Sequence, residues 1–296
     1  MSILSGLRRR LATLDEINAR LKRVQEALGR IEGRQLADAG AQALAASEFR
    51  VFSQWGEDGI IQRLVREVPA LPRIFVEFGV QDYSEANTRY LLTNDNWAGL
   101  VIDGSPENIA RVTADPIYWR HNLKALCAFV TRENINDLLT AAGLGGEIGL
   151  LSVDIDGNDY WVWEAITAVD AVMVVAEYNW RFGATRRVTV PYQPDFVRDV
   201  AHHSMVYYGA SLAALEALAR RKGYDLVGCN SAGNNAFFVR TDRRPASLPV
   251  VSAADAFVAG LFREARGIDG VFADLSPEAE SALIESLPMV EVPPGT

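Results

Sequence analysis

The sequence predicts an α/β fold, a mainly parallel sheet with helices on both faces. Three observations carry that expectation. Nearly continuous apolar runs of strand length recur at 74–78, 99–102, 125–130, 148–155 and 171–176. Four acids, Glu77, Asp103, Asp154 and Glu177, stand at or near the ends of these runs, and helical segments follow. Uninterrupted apolar strands alternating with helices indicate a parallel sheet buried on both sides. Finally, 224–227 and 236–239 flank a Gly- and Asn-rich turn and read as an antiparallel pair at the end of the sheet. Ligands of such sheets bind beyond the carboxyl ends of the strands, where these acids gather.

Composition narrows the class. A chain of 296 residues, 49% hydrophobic, can bury one large core and is neither disordered nor fibrous. The formal charge of -9 is uneven: residues 1–34 hold eight Arg or Lys against four Asp or Glu, leaving an acidic remainder. An acidic body is a poor match for a phosphate backbone, so a small-molecule substrate is expected rather than nucleic acid. Cys127 and Cys229 stand far apart with no CxxC spacing, which suits buried thiols better than a disulfide or a zinc site. No run of 18 apolar residues occurs, and the N-terminal stretch resembles neither a signal peptide nor a membrane span, so a cytoplasmic protein is expected.

The chain divides into a helix at 1–34, a body at 35–248 and a C-terminal helical extension at 249–296. In the first, Leu4, Leu7, Leu11, Leu14, Ile17, Leu21, Val24, Leu28 and Ile31 recur at steps of three and four. That is close to a heptad repeat, and a coiled coil joining subunits into a homo-oligomer is expected. An amphipathic helix lying on its own body, or on a membrane surface, has the same pattern. In the body, Ser84 reads as the cap of a helix over 85–92, and Ser105 followed by Pro106 as an N-cap and first helical position. Residues 179–204 break the rhythm with Trp, Arg, Tyr and His and read as a substrate wall. Residues 254–265 and 277–288 read as helices, followed by a loose tail.

The chemistry concentrates at the strand ends. Glycine in Glu77-Phe-Gly79 lets a ligand approach the backbone, and the carboxylate can hold an ammonium or hydroxyls. Asp103 follows at the distance where nucleotide-binding α/β proteins hold ribose hydroxyls, or it closes a simple Asx turn. No G-x-G-x-x-G follows the first strand, which argues against NAD or FAD and for a nucleoside without a pyrophosphate. Asp154-Ile-Asp156 and Glu177-Tyr-Asn179 crowd like charges without a lysine. A hard divalent cation on Asp156 and Glu177, with Asp154 and Asn179 next, would relieve that, and an ion-free polar pocket is the alternative. The pairs share a side only if each strand continues through them. His202 and His203 suit a general base, or else form a surface or helix-cap pair. Tyr178, Trp180, Arg181, Tyr192, Tyr207 and Tyr208 suit a carbohydrate surface, or else pack the wall of the site.

Glu77-x-Gly79, Asp103, Asp154-Ile-Asp156 and Glu177 together resemble the class I S-adenosylmethionine-dependent methyltransferases. Within them the chain is similar to the FkbM-like group and the metal-dependent sugar O-methyltransferases. The resemblance covers roughly 55–242. It implies a Rossmann-like seven-stranded sheet of order 3-2-1-4-5-7-6 and methyl transfer from S-adenosylmethionine to a sugar hydroxyl in polysaccharide or glycoconjugate biosynthesis. It implies Glu77 and Gly79 near the methionine portion, Asp103 on the ribose, and Phe129 and Val130 beside the adenine. Ser84 and Asp154 complete the candidate cofactor set. Asp156-Gly-Asn-Asp-Tyr160 matches the family's Asp-Gly-Asp-x-Tyr motif with Asn158 in place of the second acid, and Glu177-Tyr-Asn179 replaces two adjacent acids. Mg²⁺ or Mn²⁺ is the implied metal, and Asp159, a few residues after the strand-four ligand as in the related sugar enzymes, is the implied competitor of the histidines as base. The competing readings are a methyltransferase for another small hydroxylated metabolite and a non-catalytic coiled-coil-linked scaffold.

Overall fold

The computed structural model of the chain describes residues 3–38, 43–260 and 262–295. Five parallel strands, β1 (Ile74–Phe78), β2 (Ala98–Asp103), β3 (Leu123–Cys127), β4 (Gly146–Val153) and β5 (Val169–Glu177), form most of the main sheet. A two-residue strand, β6 (Val188–Thr189), lies outside it, and β7 (Tyr224–Cys229) with β8 (Asn235–Arg240) completes it. The order is β3-β2-β1-β4-β5-β8-β7, with β8 antiparallel to both neighbours. The expected order is thus observed, the intervening β6 shifting the last two numbers. The turn from β7 to β8 is held by Asn230, whose Oδ1 accepts the amides of Gly233, Asn234 and Asn235.

Helices cover both faces because every central strand is apolar on both sides. In chain order they are α1 (Ile3–Asp38), α2 (Glu57–Glu67), α3 (Arg89–Asp95), α4 (Pro106–Ala114), α5 (Pro116–Arg120) and α6 (Ile135–Ala141). There follow α7 (Asp159–Ala165), α8 (Arg198–Ala201), α9 (Leu212–Arg221), α10 (Ala253–Ala256) and α11 (Pro277–Glu285). On one face Ile60, Ile61 and Leu64 of α2 meet Phe75, Leu150, Val175 and Phe237. On the other, Trp163 of α7 and Leu215 and Leu218 of α9 meet Val76, Leu151, Val174 and Phe238. The cap at Ser105 is as expected, its hydroxyl accepting from the Asn108 amide.

Three sequence expectations need correction. Ser84 caps nothing: α3 begins only at Arg89, and the buried strand-end carboxylate of Glu77 takes the amides of Asn87 and Thr88 just ahead of it. The extension is helical only at 253–256 and 277–285. Its tail is tied down, since β9 (Val290–Glu291) pairs with β6 and Tyr207 donates to the Pro288 carbonyl.

On α1, Gly29 lies so close to the body that a Cβ there would stand 2.4 Å from Val51 Cγ2, and Gln25 donates to the Val51 carbonyl. This polar, glycine-bearing face makes the contact. The apolar stripe is left largely uncovered, with Leu14, Ile17, Leu21, Val24, Leu28 and Ile31 all between 46% and 59% exposed and Leu21 also bordering a cleft between α1 and the body. The side chains of Leu4, Leu7 and Leu11 lie outside the described ones. Among the described residues no helix is long and apolar enough to cross a membrane.

Candidate active site

The site starts where β1 stops. Gly79 adopts φ 71°, and a Cβ there would lie 1.8 Å from the Asp154 carbonyl, so only glycine lets these two strand ends converge. Gln81 and Tyr83 then take left-handed φ of 49° and 61°, a strained loop of the kind that accompanies binding sites. The Glu77 carboxylate accepts the amides of Asn87 at 2.8 Å and Thr88 at 3.1 Å, and the hydroxyls of Thr88 at 2.5 Å and Ser152 at 3.4 Å. Its oxygens are therefore committed to the start of α3. Burial outweighs these bonds and pushes its pKa up to about 7.

Asp103 ends β2 in the same way. Oδ2 accepts the Gln81 amide at 2.7 Å, while Oδ1 accepts the Ser105 amide at 2.8 Å and the Asn108 side chain at 3.0 Å. The Asx turn is real, and it fixes the loops around a cavity of about 320 Å³. Gly79, Asp103, Phe129, Val130, Asp154 and Asp156 all border that cavity. Phe129 is 48% exposed, its ring open to a ligand. A second cavity of about 110 Å³ adjoins it, sharing Gly79, Gln81 and Asp154, and is bordered by Glu77 and Ser84. All seven candidate cofactor residues thus line two adjoining hollows. A larger cleft of about 820 Å³ lies beneath α1, away from these acids.

Beside the hollows, ligand oxygens of Asp154, Asp156 and Glu177 lie within 4.8 Å of one another. A turn makes this arrangement, not strand alternation: β4 ends at Val153, and Asp156 has φ 56°. Burial and then mutual repulsion raise the pKa of Asp154 and Glu177 well above the carboxylate range. Glu177 is buried, and its Oε2 has no partner. Three carboxylates converging on an orphaned oxygen fit a hard divalent cation. One protein cation already reaches the cluster. Arg198 donates to Asp156 Oδ1 at 2.6 Å and to the Met205 carbonyl, pairs with Glu264, and lies 3.9 Å over the Tyr208 ring.

Other candidates fall elsewhere. Asn179 leaves the acid cluster because β5 ends at Glu177. Its Nδ2 donates to the Val206 and Tyr208 carbonyls and its Oδ1 caps the Arg181 amide, so the amide is used up on the backbone. Asp159 is buried with both oxygens on the amides of Ile155 and Gly157, closing the turn that shapes the cluster. His202 bonds Ser204 at 2.7 Å and packs against His203, and neither borders the two hollows.

The aromatic set is mostly an anchor. Tyr178, Trp180, Tyr207 and Tyr208 are buried, Tyr178 donating to the Val258 carbonyl and Tyr207 to Pro288, while Arg181 is locked to Glu280 at 2.5 Å. These side chains fasten the C-terminal extension to the body. Tyr192 alone of the six is half-buried at the surface, stacked under Arg132 and bonded to Glu133.

Sequence reading missed Arg198 and Asn235, and it placed Asn158 only as a replacement within the strand-four motif. Arg198 carried no signal, since 42 residues separate it from Asp156. Asn158 and Asn235 sit at the ends of polar runs, but only the fold leaves their Oδ1 atoms buried and unpartnered.

No protein-family model matches the chain, and comparison with curated proteins found no match. Among solved structures the chain is similar to the N-terminal domain of EvdMO1 with SAH bound, at 11% identity over 72% of this chain and 94% of that one, with a TM-score of 0.41. It is similar to the O-methyltransferase from Bacillus cereus in complex with SAH, at 10% identity over 73% and 89%, with a TM-score of 0.40. A third likeness is to a S-adenosylmethionine-dependent methyltransferase from Clostridium acetobutylicum, at 11% identity over 62% and 89%, with a TM-score of 0.38. The fold is defined by the strand order itself. Five parallel strands ordered 3-2-1-4-5, closed by an antiparallel hairpin, form a Rossmann-like seven-stranded sheet.

Proposed function

We propose that this chain transfers a methyl group from S-adenosylmethionine to a sugar hydroxyl in polysaccharide or glycoconjugate biosynthesis, with Mg²⁺ or Mn²⁺ held beside the acceptor. The observation that supports it most is a shared wall. Asp154 borders both the hollow under Asp103 and the cluster with Asp156 and Glu177, so a donor in the first would end against the second. Asp103 Oδ2 accepts one amide and retains capacity for a ribose hydroxyl, while Phe129 offers a face to the adenine. Transfer forms a C–O bond to the acceptor and breaks the C–S bond of the sulfonium, with the acceptor proton leaving past Asp156 to water. Lewis-acid polarisation of the acceptor oxygen is what a divalent ion on Asp154, Asp156 and Glu177 would supply. Arg198, already on Asp156, would hold that carboxylate in place.

Burial of Tyr178, Trp180, Tyr207 and Tyr208 removes most of the expected sugar-stacking surface and favours a second acceptor class, a small hydroxylated metabolite. Calorimetric titration with S-adenosylhomocysteine, then a methyl-transfer screen over sugar and non-sugar acceptors with and without chelator, separates these readings. Absence of binding with or without Mg²⁺ would leave the scaffold reading.

We also propose that the exposed stripe of α1 meets the same stripe of a second copy. Leu14, Ile17, Leu21, Val24, Leu28 and Ile31 keep strict heptad spacing on the face that α1 does not use against its own body. Deleting residues 1–34 should then lower the solution mass to that of a monomer; an unchanged mass would refute the contact.

A further inference from the structure

Asn235 opens β8 opposite Glu177, its register partner on β5. It is 4% exposed and borders the smaller hollow together with Gln54, Glu77 and Asp154. Its Nδ2 donates at 2.9 Å to Glu57 Oε1. Glu57 is wholly buried at the start of α2, and its other oxygen takes the Trp55 amide at 2.9 Å. Asn230 donates to the same Oε1 at 2.7 Å. A carboxylate accepts and does not donate, so the donor end of the Asn235 amide is fixed toward Glu57, and its carbonyl end must face the other way.

That carbonyl, Oδ1, has no partner. A buried acceptor without a donor is costly, and the neighbouring groups cannot relieve it. Glu77 is filled by the start of α3, and its carboxylate has no hydrogen to give when ionised. Of the other acids that border the hollow, Asp82 accepts from Ser84 and Glu85 pairs with Arg50, which leaves Asn235 Oδ1 beside Asp154. A neutral acceptor beside an acidic one calls for a ligand that brings several N–H donors on one positive centre, which a primary ammonium does.

We propose that Asn235 is a cofactor-binding residue, accepting through Oδ1 a hydrogen bond from the α-ammonium of the methionyl part of S-adenosylmethionine, and that Glu57 is the positioning residue that fixes its orientation. The proposal rests on the cofactor reading above and adds the residues that recognise the amino group. It also gives the buried Glu57–Asn230–Asn235 network a purpose beyond closing the β7–β8 turn.

The test is calorimetric titration of the full chain with S-adenosylhomocysteine and with its analogue lacking the α-amino group. Asn235→Ala should weaken the first about tenfold and leave the second within about twofold, because a lost charge-assisted bond acts only on the ligand that carries the charge. Equal weakening of both ligands, or no change in either, would overturn the proposal. Asn235→Asp alone sets two carboxylates face to face and should lose both melting temperature and S-adenosylhomocysteine binding. Adding Glu57→Gln restores a donor between them and should recover the preference for the aminated ligand; failure to recover it in a folded double variant counts against Glu57. Wild-type protein that binds neither ligand would instead bring down the cofactor reading, and this inference with it.

Discussion

Two halves of one sheet edge bury side-chain oxygens and treat them oppositely. At the ends of β1 and β2, Glu77 and Asp103 have their carboxylates filled by the chain's own amides and hydroxyls. At the ends of β4, β5 and β8, Glu177 and Asn235 keep unpartnered oxygens, as does Asn158 just beyond β4. The first half is prebuilt: its acids hold loops in shape around a hollow. In the second, Arg198 reaches Asp156 but no protein donor reaches Glu177 Oε2 or the two amide oxygens, which leaves them for a ligand or a cation. A buried carboxylate is therefore not one kind of feature. Its partners decide whether it supports the fold or strains it.

The largest expected effect tests this contrast directly. Glu77→Ala strips acceptors from two amides and a hydroxyl at the start of α3 and should cost roughly 3 kcal/mol of stability in denaturant unfolding. Glu177→Gln removes a repelling charge and should leave stability within about 1 kcal/mol of wild type, or raise it, while methyl transfer is lost. Equal stability losses would erase the distinction between the halves.

Next comes pH. Glu77 at about 7, Asp58 and Asp159 at about 6, and Asp154 and Glu177 well above the carboxylate range all bind a proton more tightly folded than unfolded. Their contribution to stability is complete below the ordinary carboxylate pKa of about 4 and is lost as pH rises through 6 to 7 and beyond. Melting temperature should therefore fall between pH 5.5 and pH 8. Mn²⁺ or Mg²⁺ should recover part of it at pH 8 and little at pH 5.5, because ligands must be deprotonated to bind. The recovery should vanish in Glu177→Ala; recovery of equal size there would place any ion elsewhere.

Smaller effects sharpen the picture. Asp103→Ala should weaken S-adenosylhomocysteine binding about tenfold by calorimetry, through loss of both a ribose acceptor and the loop geometry. His202→Ala and His203→Ala should change the methyl-transfer rate less than about threefold, since neither histidine borders the hollows. A hundredfold loss in either would restore the general-base reading.

Much of this was legible in the chain. The apolar runs and their terminal acids fixed the strands, because a strand buried on both faces tolerates no polar interruption until it emerges from the sheet. Gly79, Asp103 and the acids Asp154 and Asp156 are visible for the same reason, but the turn that joins the last two is not, since the apolar run reads on as strand to 155. The errors share a cause. Asn179 was placed with Glu177 by alternation, but alternation ends with the strand. The aromatic segment looked like a substrate wall because burial by a distant C-terminal extension leaves no local trace.

By itself the sequence determined the main strands, their succession along the chain and the strand ends that carry carboxylates, since these follow from local periodicity and from where apolar runs stop. Which carboxylates would be satisfied was decided only in three dimensions. Partners such as Arg198 for Asp156, or Glu57 for Asn235, lie 42 and 178 residues away along the chain. A hydrogen bond depends on angstroms between atoms, and sequence separation does not encode them.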